Sequence, residues 1–276
     1  MSNPATWRTV GVSSRGTSHL KSGDPCQDAH AWRVLPSGTL VVAVADGAGT
    51  APMADTGATL AVTTALETLC HTLAIIAPSD EPDLSDLSDL SDLSDEDWHN
   101  LLAGVLTAAL RAVEEEAAAR QVLPRDLACT LLLAVAVPGA LVAAVQIGDG
   151  AVVARSDDGE VFAVTRPAPG EYLNETTFLV SPGALGSAAF AVWRGQVSRL
   201  AALTDGLQML ALRMPAGDPH PGFFDPLLRF VTSAADPQAA EVSLQGFLDS
   251  PRVRDRADDD LTLFLAACGV AISESP

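Results

Sequence analysis

Several stretches of this chain are apolar almost without a break, and they recur through it: VVAVA before Asp46, LLLAVAV after Thr130, LVAAVQI before Gly148, RLAAL before Thr204 and LTLFLAA after Asp260. They mark out strands over Gly38 to Ala45, Ala128 to Val137, Ala140 to Ile147, Val197 to Thr204 and Leu261 to Ala267, of the kind buried in the middle of a sheet. Trp7 to Ser13, Ala29 to Val34, Ala151 to Ser156 and Val161 to Val164 read as further strands, with Thr177 to Val180 and Ala189 to Trp193 as additional candidates. Ala54 to Ala77 and Trp98 to Val122 place apolar residues at helical intervals, and Phe223 to Phe247 reads as helix in pieces. This is not the regular strand–helix alternation of a parallel sheet. It predicts an α+β fold in which two antiparallel sheets pack face to face with helices outside, as one domain over residues 1–276.

Hydrophobic residues make up 48% of the chain and aromatics 5%, so the core must be built from Ala, Val and Leu. The formal charge of −19, from 35 acidic and 16 basic residues, has the wrong sign for a nucleic-acid binder and suits a monomer. No apolar run reads as long enough to cross a bilayer, and Met1 to Pro4 do not open a signal peptide. A cytoplasmic protein without a membrane partner is expected. Cys26, Cys70, Cys129 and Cys268 have no metal-ligand spacing and read as free thiols of a reducing compartment. Ser79 to Asp97, SDEPDLSDLSDLSDLSDED, repeats Asp-Leu-Ser with a period of three that matches neither helix nor strand. A mobile acidic insertion at about 79–97 is expected, because a calcium loop needs a turn glycine that is absent.

Aspartates mark the ends of the apolar runs. VVAVA enters Asp46-Gly47, LVAAVQIG enters Asp149-Gly150, RLAALT enters Asp205-Gly206, and Asp258-Asp259-Asp260 enters LTLFLAA. Asp28 stands in PCQDAH just before a strand. One Asp-Gly pair is an ordinary turn. Several at the ends of buried strands converge in space, and carboxylates gathered there repel one another unless cations neutralise them. Oxygen ligands without clustered His or Cys point to Mg²⁺ or Mn²⁺.

In order, GVSSRG, QDAH, VAVADGAG, D-x-x-CTLLLAV, QIGDG, ALTDG and DDDLTLFLA resemble the PP2C-type (PPM) metal-dependent serine/threonine phosphatases, over roughly Trp7 to Cys268. The resemblance implies a four-layer α-β-β-α sandwich with a binuclear Mg²⁺ or Mn²⁺ centre at one end. It also implies hydrolysis of phosphoserine and phosphothreonine on proteins by a metal-activated water. Asp46 matches the ligand that bridges two metals, and Gly47 matches one that ligates through its carbonyl. Asp205 and Asp259 match ligands of the second site, with Asp258 and Asp260 as close alternatives to Asp259. Asp28, beside Gln27, matches an acidic pair near the other ion. Asp149 matches a position that shares a third, weaker metal with Asp205.

Two positions depart from the family pattern. Ala48 stands where the family has a proposed general-acid histidine, and Gly23 where it often has a phosphate-contacting arginine. His19 or Lys21, or else Arg15, is the expected replacement as proton donor or phosphate contact. These gaps leave a second reading, a pseudophosphatase serving as a regulatory phosphoprotein-binding module. A phosphoprotein substrate and a cognate serine/threonine kinase are the partners that the resemblance implies.

Overall fold

The computed structural model of the chain describes residues 6–77, 90–167 and 176–269. Its strands are β1 (Thr6–Ser14), β2 (Ala29–Val34), β3 (Leu40–Ala45), β4 (Leu131–Val137), β5 (Leu141–Ile147), β6 (Ala151–Ser156), β7 (Val161–Thr165), β8 (Ala189–Arg194), β9 (Val197–Leu203), β10 (Leu212–Arg213), β11 (Asp218–Pro219) and β12 (Leu261–Gly269). The helices are α1 (Thr17–Ser22), α2 (Ala54–Ile76), α3 (Asp95–Arg120), α4 (Gln208–Ala211), α5 (Pro221–Ser233), α6 (Pro237–Leu248) and α7 (Pro251–Arg254). One five-stranded sheet runs β1-β12-β9-β6-β7 and the other β2-β3-β4-β5-β8, antiparallel throughout.

The continuous apolar runs have a direct cause in the layering. Successive strand residues point to opposite faces, so a strand covered on both sides must be apolar at every position. In β3, Leu40, Val42 and Val44 face the space between the sheets, where they join Leu132, Ala134, Ala154, Ala202 and Phe264. Val41, Ala43 and Ala45 face the other way and pack with Ala58, Leu69 and Leu73 of α2 and Trp98 and Leu106 of α3. The second sheet buries Val153, Leu203 and Leu263 against Phe224, Leu228 and Leu244 of α5 and α6. Helices, sheet, sheet, helices: the four-layer arrangement follows.

Three sequence expectations are corrected. First, α2 is by length and composition apolar enough to cross a bilayer. It is a core helix here, burying Ala58, Val62, Leu69 and Leu73 and turning Thr59, Thr63, Glu67 and His71 to solvent. Second, 177–180 is not a strand, because β4 already has β3 and β5 as neighbours; Leu179 donates one backbone bond to the Cys129 carbonyl and the chain then turns at Ser181. Third, the tract expected to be mobile over 79–97 is packed at its end. Residues 79–89 lie outside the described residues, but Leu90 is 0% exposed in the helical core. Arg194 donates to the carbonyls of Ser91 and Leu93 and pairs with Asp95 at 2.8 Å. Ser94 caps α3, accepting from the Asp97 amide while Asp97 accepts from the Ser94 amide. Ser94→Ala is therefore expected to cost about 1 kcal/mol, measured by urea unfolding, with hydrolytic activity unchanged.

Candidate active site

Strand register brings the aspartates to one end of the sandwich. Ala29 of β2 pairs with Ala45 of β3, so Asp28 and Asp46 emerge side by side from one sheet. In the other sheet Leu203 of β9 lies between Ala151 of β6 and Leu263 of β12, which places Asp149, Asp205 and the 258–260 triplet around the same edge. Thr204 joins the two groups across the sheets, its Oγ1 donating to Asp28 Oδ2 at 2.8 Å. Thr130 fixes Asp46 from both directions: the Asp46 amide donates to Thr130 Oγ1 at 2.8 Å, and the Thr130 amide to the Asp46 carbonyl at 2.7 Å. Asp149 accepts from Thr176 through Oδ2 and from Gln208 Nε2 through its carbonyl.

These carboxylates sit close enough to disturb one another. Burial pushes Asp28 up to about 7 against the pull of hydrogen bonds from Thr262, Asp46 and Thr204. Burial and then repulsion from Asp149, Asp259 and Asp28 push Asp205 up to about 7. Asp46 is held well above the ordinary range by burial, then by Asp28, Asp205 and Asp259. Asp149 is raised by burial, partly offset by the Thr176 hydroxyl. Asp28 Oδ1, Asp149 Oδ1, Asp205 Oδ1 and Gln27 Oε1 are buried without a hydrogen-bond partner.

Within the triplet Asp259 and Asp260 differ in employment. Asp260 is 1% exposed, and its carboxylate accepts from the amides of Gly16 and Gln27, both at 2.5 Å. Asp259 is exposed, accepts from the Asp260 amide, and its charge is felt at Asp46, Asp149 and Asp205. Gly16 packs so tightly on this loop that a β-carbon would meet the Asp259 carbonyl carbon at 2.4 Å. His19 is buried with Nδ1 3.0 Å from Asp260 Oδ2, so it faces into the protein. Lys21 is exposed on α1, with no ion pair among the described residues.

The two departures from the family pattern have structural counterparts. Ala48 is packed with Ala51, Ala54 and Ala128. Gly23 ends α1 in the left-handed region at φ 90°, where a larger side chain would be strained. The reading from sequence missed Thr130, Thr204, Thr262 and Gln208, which hold the aspartates. Thr204 and Thr262 lie inside the quoted motifs ALTDG and DDDLT, so the signal was present but silent about hydrogen bonding.

Comparison with known proteins settles the class. The Protein phosphatase 2C family profile matches residues 15–249. Serine/threonine-protein phosphatase 3 of Escherichia coli (strain K12) is 35% identical over 269 residues, covering 95% of this chain and 98% of that one. The chain belongs to the PP2C family of serine/threonine phosphatases. The fold of this phosphatase agrees with that of solved structures. Staphylococcus aureus Stp1, a serine/threonine phosphatase, superposes with a TM-score of 0.60 at 11% identity, over 97% of both chains. PppA of Pseudomonas aeruginosa, described as a regulatory component of the T6SS, gives 0.58 at 20% identity, over 96% of this chain and 98% of that one.

The family is metal-dependent. Among the described residues no three carboxylate, imidazole or thiol groups converge closely enough to hold a metal ion as they stand. The donor set is nevertheless all hard oxygen, and three of its carboxylate oxygens are buried and unpartnered. That chemistry fits a magnesium or manganese ion and disfavours zinc.

Proposed function

We propose that this phosphatase hydrolyses phosphoserine and phosphothreonine on proteins at a binuclear magnesium or manganese centre. Asp28, Asp46, the Gly47 carbonyl, Asp205 and Asp259 hold the two ions, and Asp149 shares a third, weaker one with Asp205. The observation that carries this reading is the set of mutually repelling carboxylates whose Oδ1 atoms at positions 28, 149 and 205 are buried without a partner. Bound divalent ions supply water activation and neutralisation of the phosphoryl oxygens.

The chain's own residues do the positioning. Thr204 holds the Asp28 carboxylate from the opposite sheet and Thr130 holds the Asp46 backbone, and the carboxylates draw together further to enclose an ion. Asp260 clips the Gly16 and Gln27 loops beside them and is employed in that role instead of as a ligand. His19 is turned against Asp260 and Arg15 Nη2 donates to the His19 carbonyl, which leaves the exposed Lys21 as the cation of α1 that meets a phosphoryl oxygen. The binding-module alternative is not favoured by membership in an enzyme family with every strand-end aspartate retained.

The test is hydrolysis of p-nitrophenyl phosphate and a phosphothreonine peptide with added Mn²⁺, alongside calorimetric counting of bound Mn²⁺. Two ions and metal-dependent turnover are expected; no metal-dependent turnover on either substrate overturns the reading. Lys21→Met is expected to raise KM for the phosphopeptide about tenfold, a phosphate charge contact being worth roughly 1–3 kcal/mol. An unchanged KM removes Lys21 from the site.

A further inference from the structure

A cavity of about 680 Å³ opens between α4, α5, α6 and α7, on the outer side of the β1 sheet. Met209, Phe223, Leu227, Phe230 and Phe247 form its apolar walls, and Arg252 and Arg256 stand at its rim. Met209 is 77% exposed, an unusual outlay for so large an apolar side chain. The arginines beside this apolar wall are the second feature. In a chain with 35 acidic and 16 basic residues, the intervening Arg254 pairs with Asp249 at 2.7 Å. Arg252 and Arg256 are exposed, with no carboxylate partner among the described residues.

The groove also adjoins the catalytic end. Arg256 is three residues from Asp259 and Met209 four from Asp205. At no more than ~3.6 Å per residue, the Cα atoms of Arg256 and Met209 lie within about 15 Å of those of Asp259 and Asp205. One short helix joins the two places: Gln208 of α4 donates to the Asp149 carbonyl, and its neighbour Met209 lines the groove.

We infer that this groove docks a segment of the phosphoprotein substrate in which acidic residues flank one or two large apolar side chains, while the phosphoresidue reaches the aspartate centre. The inference rests on the protein-phosphatase reading. Its occupant follows from charge complementarity. In a chain of net charge −19, two arginines without a carboxylate partner among the described residues, set beside an apolar wall, hold such a segment by opposite charge. The aromatic and aliphatic walls supply desolvation for its side chains, and the arginines set its register. A basic peptide gains nothing at this rim.

The test uses the full chain and a fluorescein-labelled, unphosphorylated twelve-residue peptide in which Leu and Phe alternate with Asp and Glu, followed by anisotropy. Saturable binding is expected, weakened at least tenfold by Arg252→Glu/Arg256→Glu and by Met209→Asp. All three positions are exposed, so the variants fold, and their hydrolysis of p-nitrophenyl phosphate stays at the wild-type level. Fusing the segment to a phosphothreonine peptide is expected to lower KM at constant kcat in the wild type only. Equal binding by wild type and the double variant, equal binding of a Lys/Leu peptide, or no saturable binding overturns the proposal. Absent p-nitrophenyl phosphate turnover in the wild type strikes the phosphatase reading instead, since the anisotropy arm needs no catalysis.

Discussion

Asp205→Asn is expected to lower kcat for p-nitrophenyl phosphate by at least about 10³-fold while raising the thermal stability of the metal-stripped protein. The loss follows because Asp205 stands at the centre of the repelling group, facing Asp149, Asp259 and Asp28, and a metal ligand there serves two proposed sites. Metal ions contribute several kcal/mol to transition-state charge stabilisation, and about 4 kcal/mol corresponds to 10³ in rate. The gain in stability follows from the same geometry. An amide of equal size keeps the packing but removes one buried charge from the cluster. Kinetics and a melting curve in EDTA at pH 8 check both halves. Full activity in the variant excludes Asp205 as a ligand, and a fall in apo stability excludes it from the repelling cluster.

The second large effect is in pH. Without divalent ions, stability is expected to fall steadily from about pH 4 to about pH 7 and then level off. Asp28 and Asp205 titrate near 3.8 unfolded and at about 7 folded. Below pH 4 both states hold the proton and nothing is lost. Above pH 7 both states are ionised, and the folded chain carries the full cost of buried repulsion. For Asp28 alone, three pH units correspond to a loss of order 4 kcal/mol. Denaturant midpoints in EDTA between pH 4 and 8 measure the slope. Saturating Mn²⁺ is expected to abolish it above pH 6, because an ion that binds only the folded state compensates the same charges. A flat profile in EDTA shows that the carboxylates do not share a site.

The sequence by itself determined the layers and which aspartates stand at the strand ends. Runs such as VVAVA and LLLAVAV admit few arrangements other than sheets covered on both faces, since alternation points every second residue the opposite way. Asp46, Asp149 and Asp205 were legible because each lies at the end of such a run, and Asp28 because it stands just before a strand. The end of the acidic repeat was misread: its period matches no regular element, yet Leu90 and Ser94 are held by distant α3 and β8 contacts that local pattern cannot register. The resemblance favoured Asp259 within the triplet, and the tertiary structure supplied the physical difference between it and Asp260, neighbours with the same side chain. Asp260 is buried and meets the amides of Gly16 and Gln27, some 240 residues away, whereas Asp259 faces the other carboxylates. It also turned His19 inward and gathered the groove from α4 to α7, because long-range pairing of β1 with β12 decides which loops meet.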